Sequence, residues 1–281
     1  MLNNILAPLD GSLAAEAGLH WALHAAGCCQ AAIDLLTVVD PEVADTDGHM
    51  VRAEEYLRTR RNDIAAGGLT VNLEVVTGSP PERIRERAAA AELTVMTYGT
   101  SHWLFGGALD LMLRNMIRPL VVVRAPSGQP GQEPDTRKVL VPLDTAAYSS
   151  HALPEAQRLA KALGASIVLC HVIAPVGPYL DPANAPPGVR RIIEELMEKA
   201  HFFLSGIARQ LEREGATVET IVTMGEPPQQ IVRVAERSQA GVIAMATRGT
   251  RNLSRIMGSV AYGVLQFSHL PSLLVRPTDT S

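Results

Sequence analysis

The sequence predicts two tandem α/β domains, each an open five-stranded parallel sheet with helices on both faces. Three observations support this prediction. A run ending in Pro-Leu-Asp occurs twice, at residues 5–10 and again at residues 139–144. Each occurrence opens a matching series of short apolar runs that alternate with longer helical patterns. The apolar runs show little polar alternation, which is typical of strands that are buried on both faces of a parallel sheet.

A constant offset of 134 positions (144 minus 10) relates the two copies from Asp10 and Asp144 onward. This repetition indicates an internal duplication. The offset pairs Leu19 with Leu153, Ala22 with Ala156, Ala26 with Ala160, Ile33 with Ile167 and Val38 with Val172. Residues 125–134 are rich in Pro, Gly and Gln, which indicates a linker. We therefore assign the first domain to residues 1–126, the linker to 127–136 and the second domain to 137–281.

Apolar runs and breaker residues predict the elements of the second copy in order. The strands are expected at 138–143, 166–173, 217–223, 241–246 and 272–276. The helices are expected at 150–163, 189–214, 229–238 and 260–267. Gly164 and Gly215 stand where the first two of these helices should stop, and Pro227-Pro228 suits the first turn of the third.

Composition excludes several classes of function. The 281 residues carry a net charge of −4, so no basic surplus points to nucleic acid or to an anionic membrane as the main partner. No apolar run is long enough to span a bilayer, and the N-terminus resembles a first strand and not a signal peptide. The odd set of three cysteines, Cys28, Cys29 and Cys170, is no disulfide framework and predicts a reducing, cytoplasmic location.

Two aspartates mark where ligands bind in such sheets, beyond the carboxyl ends of the strands. Asp10 and Asp144 each follow a first strand. A carboxylate there can accept hydrogen bonds from sugar hydroxyls or help to hold a metal. The alternative is structural, because an aspartate before a helix is a common N-cap.

A glycine-containing loop follows the fourth strand of the second copy and precedes a helix. Gly249 and Gly258 would let main-chain N–H groups approach a phosphate, and the helix N-terminus adds partial positive charge. Ser259 can donate a hydroxyl, and Arg248, Arg251 and Arg255 lie in the same loop. Most loops with two glycines are only turns, so position and context carry this prediction.

These features together resemble the universal stress protein family, as a tandem two-domain member. The features are the first-strand Pro-x-Asp, a second strand ending in His171-Val172, the late glycine loop followed by Gly-Ser, and the closing Leu-Leu-Val-Arg at 273–276. The resemblance implies a Rossmann-like fold of the adenine nucleotide α-hydrolase type, and ATP, with or without Mg²⁺, in some members. It would place Pro142 and Asp144 near adenine and ribose, and adenine against the backbone of Val172. The phosphates would lie at the positions of Ala246, Gly249, Gly258, Ser259 and Val260.

The sequence departs from the family pattern in both copies. In the second, Ala246 stands where the first glycine is expected, and one residue is missing between Gly249 and Gly258. In the first copy we place Gly99 at the first glycine position. Six residues separate it from Gly106, against eleven between Ala246 and Gly258, and Trp103, Leu104 and Phe105 fill this loop. We expect the first copy, with Asp10, Val38, Gly99 and Gly106, not to bind ATP in the family manner.

Other patterns have plain structural explanations. His20, His24 and Cys28 recur every four residues and could place metal ligands on one helix face, but no fourth ligand is evident, so an amphipathic helix is the preferred interpretation. His171 has no Ser or Asp partner that would indicate a nucleophilic triad. Residues 182–187 are expected to form a mobile loop near the site.

Three functions compete. The first is a cytoplasmic, ATP-responsive stress protein that is not an enzyme, with nucleotide in the second domain. The second is a scaffold without nucleotide that acts through protein contacts or a small apolar ligand near residues 103–105. The third is an adenylate-forming or adenylate-cleaving enzyme, for which no catalytic cluster is found.

An internal pseudo-dimer through the last strands, 120–124 and 273–276, would remove two sheet edges, and a homodimer of whole chains is also expected.

Overall fold

A computed structural model describes residues 2–42, 45–98, 107–125, 135–145, 148–177, 182–247 and 258–277. The chain divides into two compact units. One contains the described residues up to Pro134 and those from Leu273 onward, and the other contains Asp135–Thr247 and Gly258–Ser272. The predicted linker, 127–136, lies outside the described residues up to Pro134.

The first half contains five parallel strands in the order β3-β2-β1-β4-β5. The strands are β1 (Asn4–Pro8), β2 (Ala32–Val39), β3 (Val71–Thr77), β4 (Leu93–Tyr98) and β5 (Leu120–Arg124). The helices between them are α1 (Leu13–Cys29), α2 (Thr46–Ala66), α3 (Pro80–Ala90) and α4 (Gly107–Asn115). The middle of β1 is buried throughout, as expected for a central strand that is covered on both faces.

The second half repeats this arrangement, in the order β10-β9-β6-β7-β8. Its strands are β6 (Lys138–Pro142), β7 (Ser166–Ile173), β8 (Val218–Met224), β9 (Val242–Ala246) and β10 (Ser272–Val275). Its helices are α5 (Leu153–Leu163), α6 (Pro187–Arg213), α7 (Pro227–Ser238) and α8 (Ser259–Phe267). The predicted doubly wound α/β fold is confirmed, and each predicted strand agrees with the observed one to within a residue at either end.

Local signals in the sequence set the ends of these elements. Ser12 caps α1 by accepting a hydrogen bond from the N–H of Ala15, and Gly164 ends α5 in the left-handed conformation at φ 65°. Pro227-Pro228 forms the first turn of α7, as predicted.

Two predicted local features differ from the structure. The predicted start of the helix at 150 was wrong, because a 3-10 turn at Ser149–Ala152 precedes α5. The predicted loop at 182–187 contains a 3-10 turn, Pro182–Asn184, and Pro187 already begins α6. The Arg190 guanidinium donates to the carbonyl of Ala183 at 3.2 Å, which ties this segment to the helix.

The strand registers make the two halves comparable residue by residue. Ile5 lies opposite Leu93, and Val139 lies opposite Val242. The N–H of Thr94 donates to the carbonyl of Pro119, and the N–H of Ile243 donates to that of Pro271. Ile5 and Val139 are equivalent, so their partners Leu93 and Val242 are equivalent too, at an offset of 149 (242 minus 93). By the same reasoning Pro119 is equivalent to Pro271, at an offset of 152 (271 minus 119).

The strand order reverses between β1 and β4, and between β6 and β9, and ligands bind at such switch points in this class of fold.

Candidate functional site

Three neighbouring strands of the second half bring predicted site residues to one edge of the sheet. Pro142 is the last residue of β6 and Asp144 follows two positions later. Val172 lies near the end of β7, and Ala246 ends β9. Because β6 pairs in parallel with both β7 and β9, the carboxyl ends of all three strands face the same way. The predicted grouping of these residues is therefore present.

Asp144 is exposed at this edge and is held by its main chain. Its N–H donates to the Ser149 hydroxyl oxygen at 3.1 Å, and that hydroxyl lies 3.2 Å from the Asp144 carbonyl, to which it can donate. The turn is therefore fixed through Ser149. Asp144 does not cap α5, which begins only at Leu153 after the 3-10 turn.

The N-terminus of α8 has no side-chain cap within the part of the chain that the structure describes. Gly258 occupies the N-cap position, where a glycine has no side chain with which to cap the first N–H groups, and Ser259 and Val260 are exposed. A Cβ added at Gly258 would meet nothing within 4 Å. Uncapped N–H groups at a helix N-terminus are well suited to an anion. Gly249, the other predicted phosphate contact, lies outside the described residues.

A contact that the sequence interpretation missed crosses the switch point of the second half. The Tyr148 hydroxyl donates to the main-chain carbonyl of Thr247, the residue after β9. In the first half the equivalent carbonyl, that of Tyr98, accepts the N–H of Ala125 at 2.9 Å. The residue equivalent to Ala125 is Pro277, which has no N–H to donate. Tyr148 therefore supplies the donor that the proline lacks, and the change from Ala125 to Pro277 was the available signal in the sequence.

His171 is oriented by its main-chain surroundings. Its Nδ1 lies 2.8 Å from the carbonyl oxygen of Leu143, so this nitrogen carries the proton, because a carbonyl can only accept. The ring meets Phe203 edge-on, with centroids 6.3 Å apart. These contacts hold the imidazole against the residue that follows β6 and against α6.

A cavity of about 460 Å³ lies at the switch point of the first half. It is bounded by the ends of β1, β2 and β4 and by the first turns of α1, α3 and α4. Its apolar lining includes Leu9, Leu36, Val38, Ile84, Met96 and Leu109. Asp10, Ser12, Thr97 and Tyr98 add polar atoms. Asp10 and Val38 thus line a volume large enough for a small ligand, whereas Gly99 and Gly106 lie outside the described residues.

Among the described residues that line this cavity, the one charged side chain is acidic. Among the described residues that line it, none is Lys or Arg, and Asp10 is exposed. Asp10 Oδ1 accepts the N–H of Ser12 at 2.9 Å, so the carboxylate stabilises the turn before α1. The expectation that Asp10 could be an N-cap was wrong, since Ser12 takes that position. The described lining thus contributes no side-chain cation of its own, although the Arg124 guanidinium lies over the ring of Tyr98, 6.0 Å from its centroid.

The strand registers correct the predicted position of the first glycine in the first half. The offset of 149 makes Ala246 equivalent to Thr97, and it aligns Gly99 with Arg248. The assignment of Gly99 to the first glycine position was therefore wrong. Since α4 begins at Gly107 and α8 at Ser259, the loop after Thr97 is three residues shorter than the loop after Ala246, and not five.

The cysteine and histidine pattern on α1 forms no metal cluster among the described residues. The sulfur of Cys28 lies 3.9 Å from Nε2 of His24, and Cys28 is exposed. Burial raises the pKa of the Cys170 thiol to about 12, because the thiolate would lose its hydration. Burial also raises the pKa of Tyr98 beside the first-half cavity.

Among the described residues, no helix combines the length and the apolar character that a membrane span requires.

Residues 1–124 and 135–276 each match the model of the universal stress protein family. A universal stress protein of Methanocaldococcus jannaschii is 32% identical over 143 residues, covering 50% of this chain and 82% of that protein.

Two further comparisons extend over almost the whole chain. A universal stress protein of Mycobacterium tuberculosis is 24% identical over 298 aligned positions, covering 98% of this chain and 97% of that protein. The crystal structure of a universal stress protein from Archaeoglobus fulgidus superposes with a TM-score of 0.72 at 20% identity, covering 98% of this chain and 99% of that one. The chain belongs to the universal stress protein family, as a member with two family domains in tandem.

Proposed function

We propose that the protein is an ATP-responsive binding module of the stress response, located in the cytoplasm, with the nucleotide in its second half. Some members of the family bind ATP or cAMP. The observation that carries the proposal is the uncapped N-terminus of α8, with Gly258 in open space, which follows β9 at the switch point. Main-chain N–H groups in this arrangement stabilise a phosphate without any side-chain cation.

In this proposal the strand ends hold the nucleoside. Adenine lies against the main chain of Val172, and the exposed carboxylate of Asp144 accepts hydrogen bonds from ribose hydroxyls. The phosphates accept from the N–H groups of Ser259 and Val260, and Mg²⁺ would offset their charge.

A titration of ATP with Mg²⁺ into the protein by calorimetry tests this proposal. Gly258→Val adds bulk at a position where nothing lies within 4 Å of the new Cβ. We expect at least a tenfold loss of affinity, since the side chain covers the N–H groups. Gly206→Val is the matched control, at an exposed position of α6 that is equally open. An absence of binding at millimolar ATP, or equal binding by the two variants, would contradict the proposal.

A scaffold that does not bind nucleotide is the second candidate. The Tyr148 contact to Thr247 favours it, because the tyrosine ring lies where β6 and β9 end. Ala246 favours it too, since a methyl group there crowds a phosphate. Stoichiometric nucleotide in the purified protein, measured by mass spectrometry after denaturation, would exclude this candidate.

Catalysis is not part of the proposal. No general base is assigned. Incubation with ATP followed by product analysis tests for catalysis directly, because accumulation of AMP or of an adenylate would identify an enzyme.

The pseudo-dimer of the two halves through β5 and β10, and the homodimer of whole chains, stay predictions. Light scattering should give twice 30.1 kDa for the homodimer.

A further inference from the structure

The outward face of α6 carries large apolar side chains that stay exposed in the folded chain. Ile192, Leu196 and Phe202 are 49%, 37% and 78% exposed. Five other side chains of this helix, from Ile193 to Leu211, are buried and hold it on the sheet. Large apolar groups that cluster on one exposed helix face are typical of a surface that binds another protein chain.

The equivalent helix of the first half, α2, does not share this surface. Ile33 pairs with Val71 and Ile167 pairs with Val218, so the offset between the helices that precede β3 and β8 is 147 (218 minus 71). By this offset α2 and α6 end at equivalent residues. The counterparts of Ile192, Leu196 and Phe202 in the first half are polar: Asp45, His49 and Glu55. The apolar surface is therefore a property of α6 and not of the fold that both halves share.

The order of residues along this face is self-complementary. Ile192, Glu195, Lys199 and Phe202 are all exposed and follow one another at spacings of 3, 4 and 3 residues, which are the a and d positions of a coiled coil. An antiparallel copy of the helix would place Ile192 opposite Phe202 of the second copy, and Glu195 opposite Lys199 of the second copy. A parallel copy would instead place each charge opposite its own kind, which is repulsive.

We infer that this face of α6 binds the same face of a second copy of the chain, with the two helices antiparallel about a two-fold axis. Ile192 and Phe202 bury apolar surface at both ends of the contact, and two Glu195–Lys199 ion pairs between the copies define register and direction. In the single chain Glu195 accepts from the guanidinium of Arg191 at 3.3 Å, and such an exposed ion pair contributes little, so changing its partner costs little.

The inferred contact is short, so the dimer should be weak and should depend on protein concentration. It does not depend on the nucleotide proposed for the second half. Sedimentation equilibrium of the wild-type protein should show a mean mass that rises from 30.1 kDa toward twice that value between about 5 and 500 µM.

Phe202→Glu gives α6 the residue that α2 has at the equivalent position, and it should raise the dissociation constant of the dimer at least about tenfold. Val51→Glu is the matched control, because Val51 is an apolar residue of α2 that is 65% exposed and lies outside the inferred contact. It should leave the dissociation constant unchanged. Far-UV circular dichroism verifies that both variants are folded.

Charge reversal tests the register. Glu195→Lys alone and Lys199→Glu alone should each weaken the dimer about tenfold, because like charges then meet between the copies. The double variant should restore wild-type association, and an equimolar mixture of the two single variants should associate more tightly than either alone. A wild-type protein that stays at 30.1 kDa at the highest concentration, a Phe202→Glu variant that associates as wild type, or a double variant as weak as the single ones would each overturn the inference.

Discussion

The Tyr148 hydroxyl donates a hydrogen bond to the main-chain carbonyl of Thr247, a residue 99 positions away in the sequence. Thr247 is buried, and the residue expected to donate its main-chain N–H to this carbonyl is Pro277, which has no N–H. The contact thus compensates for a missing N–H and joins the β6–α5 connection to the end of β9. It also explains how two halves with one fold differ at their switch points.

Tyr148→Phe tests this role. The variant keeps the ring and removes the donor, which leaves a buried carbonyl unpaired, so we expect the free energy of unfolding to fall by about 1–3 kcal/mol. Urea unfolding followed by far-UV circular dichroism measures the change, because both tryptophans lie in the first half.

Tyr262→Phe is the matched control for that experiment. The Tyr262 hydroxyl accepts a hydrogen bond from an exposed side chain, that of Gln266, so its removal should change stability by less than about 0.5 kcal/mol. Equal effects of the two substitutions would show that the Thr247 carbonyl gains nothing from Tyr148.

Two glycines should respond to alanine with opposite signs. A Cβ at Gly241 would collide with the main-chain oxygen of Asp135, so Gly241→Ala must displace the backbone before β9, and we expect a loss of about 1–3 kcal/mol or more. Gly206→Ala adds its methyl in open space on α6 and should stabilise by about 0.5–1 kcal/mol. Urea unfolding of both variants provides the comparison, and a neutral Gly241→Ala would contradict the close approach.

The exposed and the buried thiol should differ in reactivity. Cys28 is exposed, whereas Cys170 is fully buried with a pKa raised to about 12. At pH 8 a disulfide reagent such as DTNB should modify Cys28 rapidly and Cys170 only after unfolding, because the thiolate is the reactive form. Cys28→Ser should remove the fast phase. A rapid reaction of Cys170 in the native protein would contradict its burial.

The same burial predicts a loss of stability in alkali. The thiol of Cys170 ionises near 9.0 when exposed and near 12 in the folded protein. Below pH 9 the thiol is protonated in both the folded and the unfolded state, so its burial does not lower the free energy of unfolding. The free energy of unfolding falls as pH rises from 9 to 12, because the unfolded chain releases this proton first. Unfolding of Cys170→Ala should show a weaker decrease over that range.

The fold was largely predictable because its signals are local. Buried strands such as β7 are continuous apolar runs, and Gly164 and Pro227-Pro228 mark helix ends by conformations that few other residues adopt. The start of α5 was less predictable, since a 3-10 turn and an α-helix share the same residue preferences.

The site was only partly predictable because it depends on pairing between distant strands. Asp144 and Val172 were placed correctly at the strand ends by pattern alone. The equivalence of Thr97 and Ala246 required the register of β4 and β9, which sequence spacing across loops of unequal length does not define. Nothing about Tyr148 in the sequence indicates its partner, because Thr247 lies 99 positions away.

Hydrogen–deuterium exchange with and without ATP and Mg²⁺ tests the central claim most directly. Slower exchange is expected for the main-chain amides of residues 259–261, at the start of α8, because phosphate oxygens accept their hydrogens, whereas the Tyr262 N–H already donates to the Gly258 carbonyl. Amides of residues 107–110, at the start of α4, should be unchanged. Protection at α4 in place of α8, or no change at either helix with saturating nucleotide, would contradict a nucleotide site in the second half.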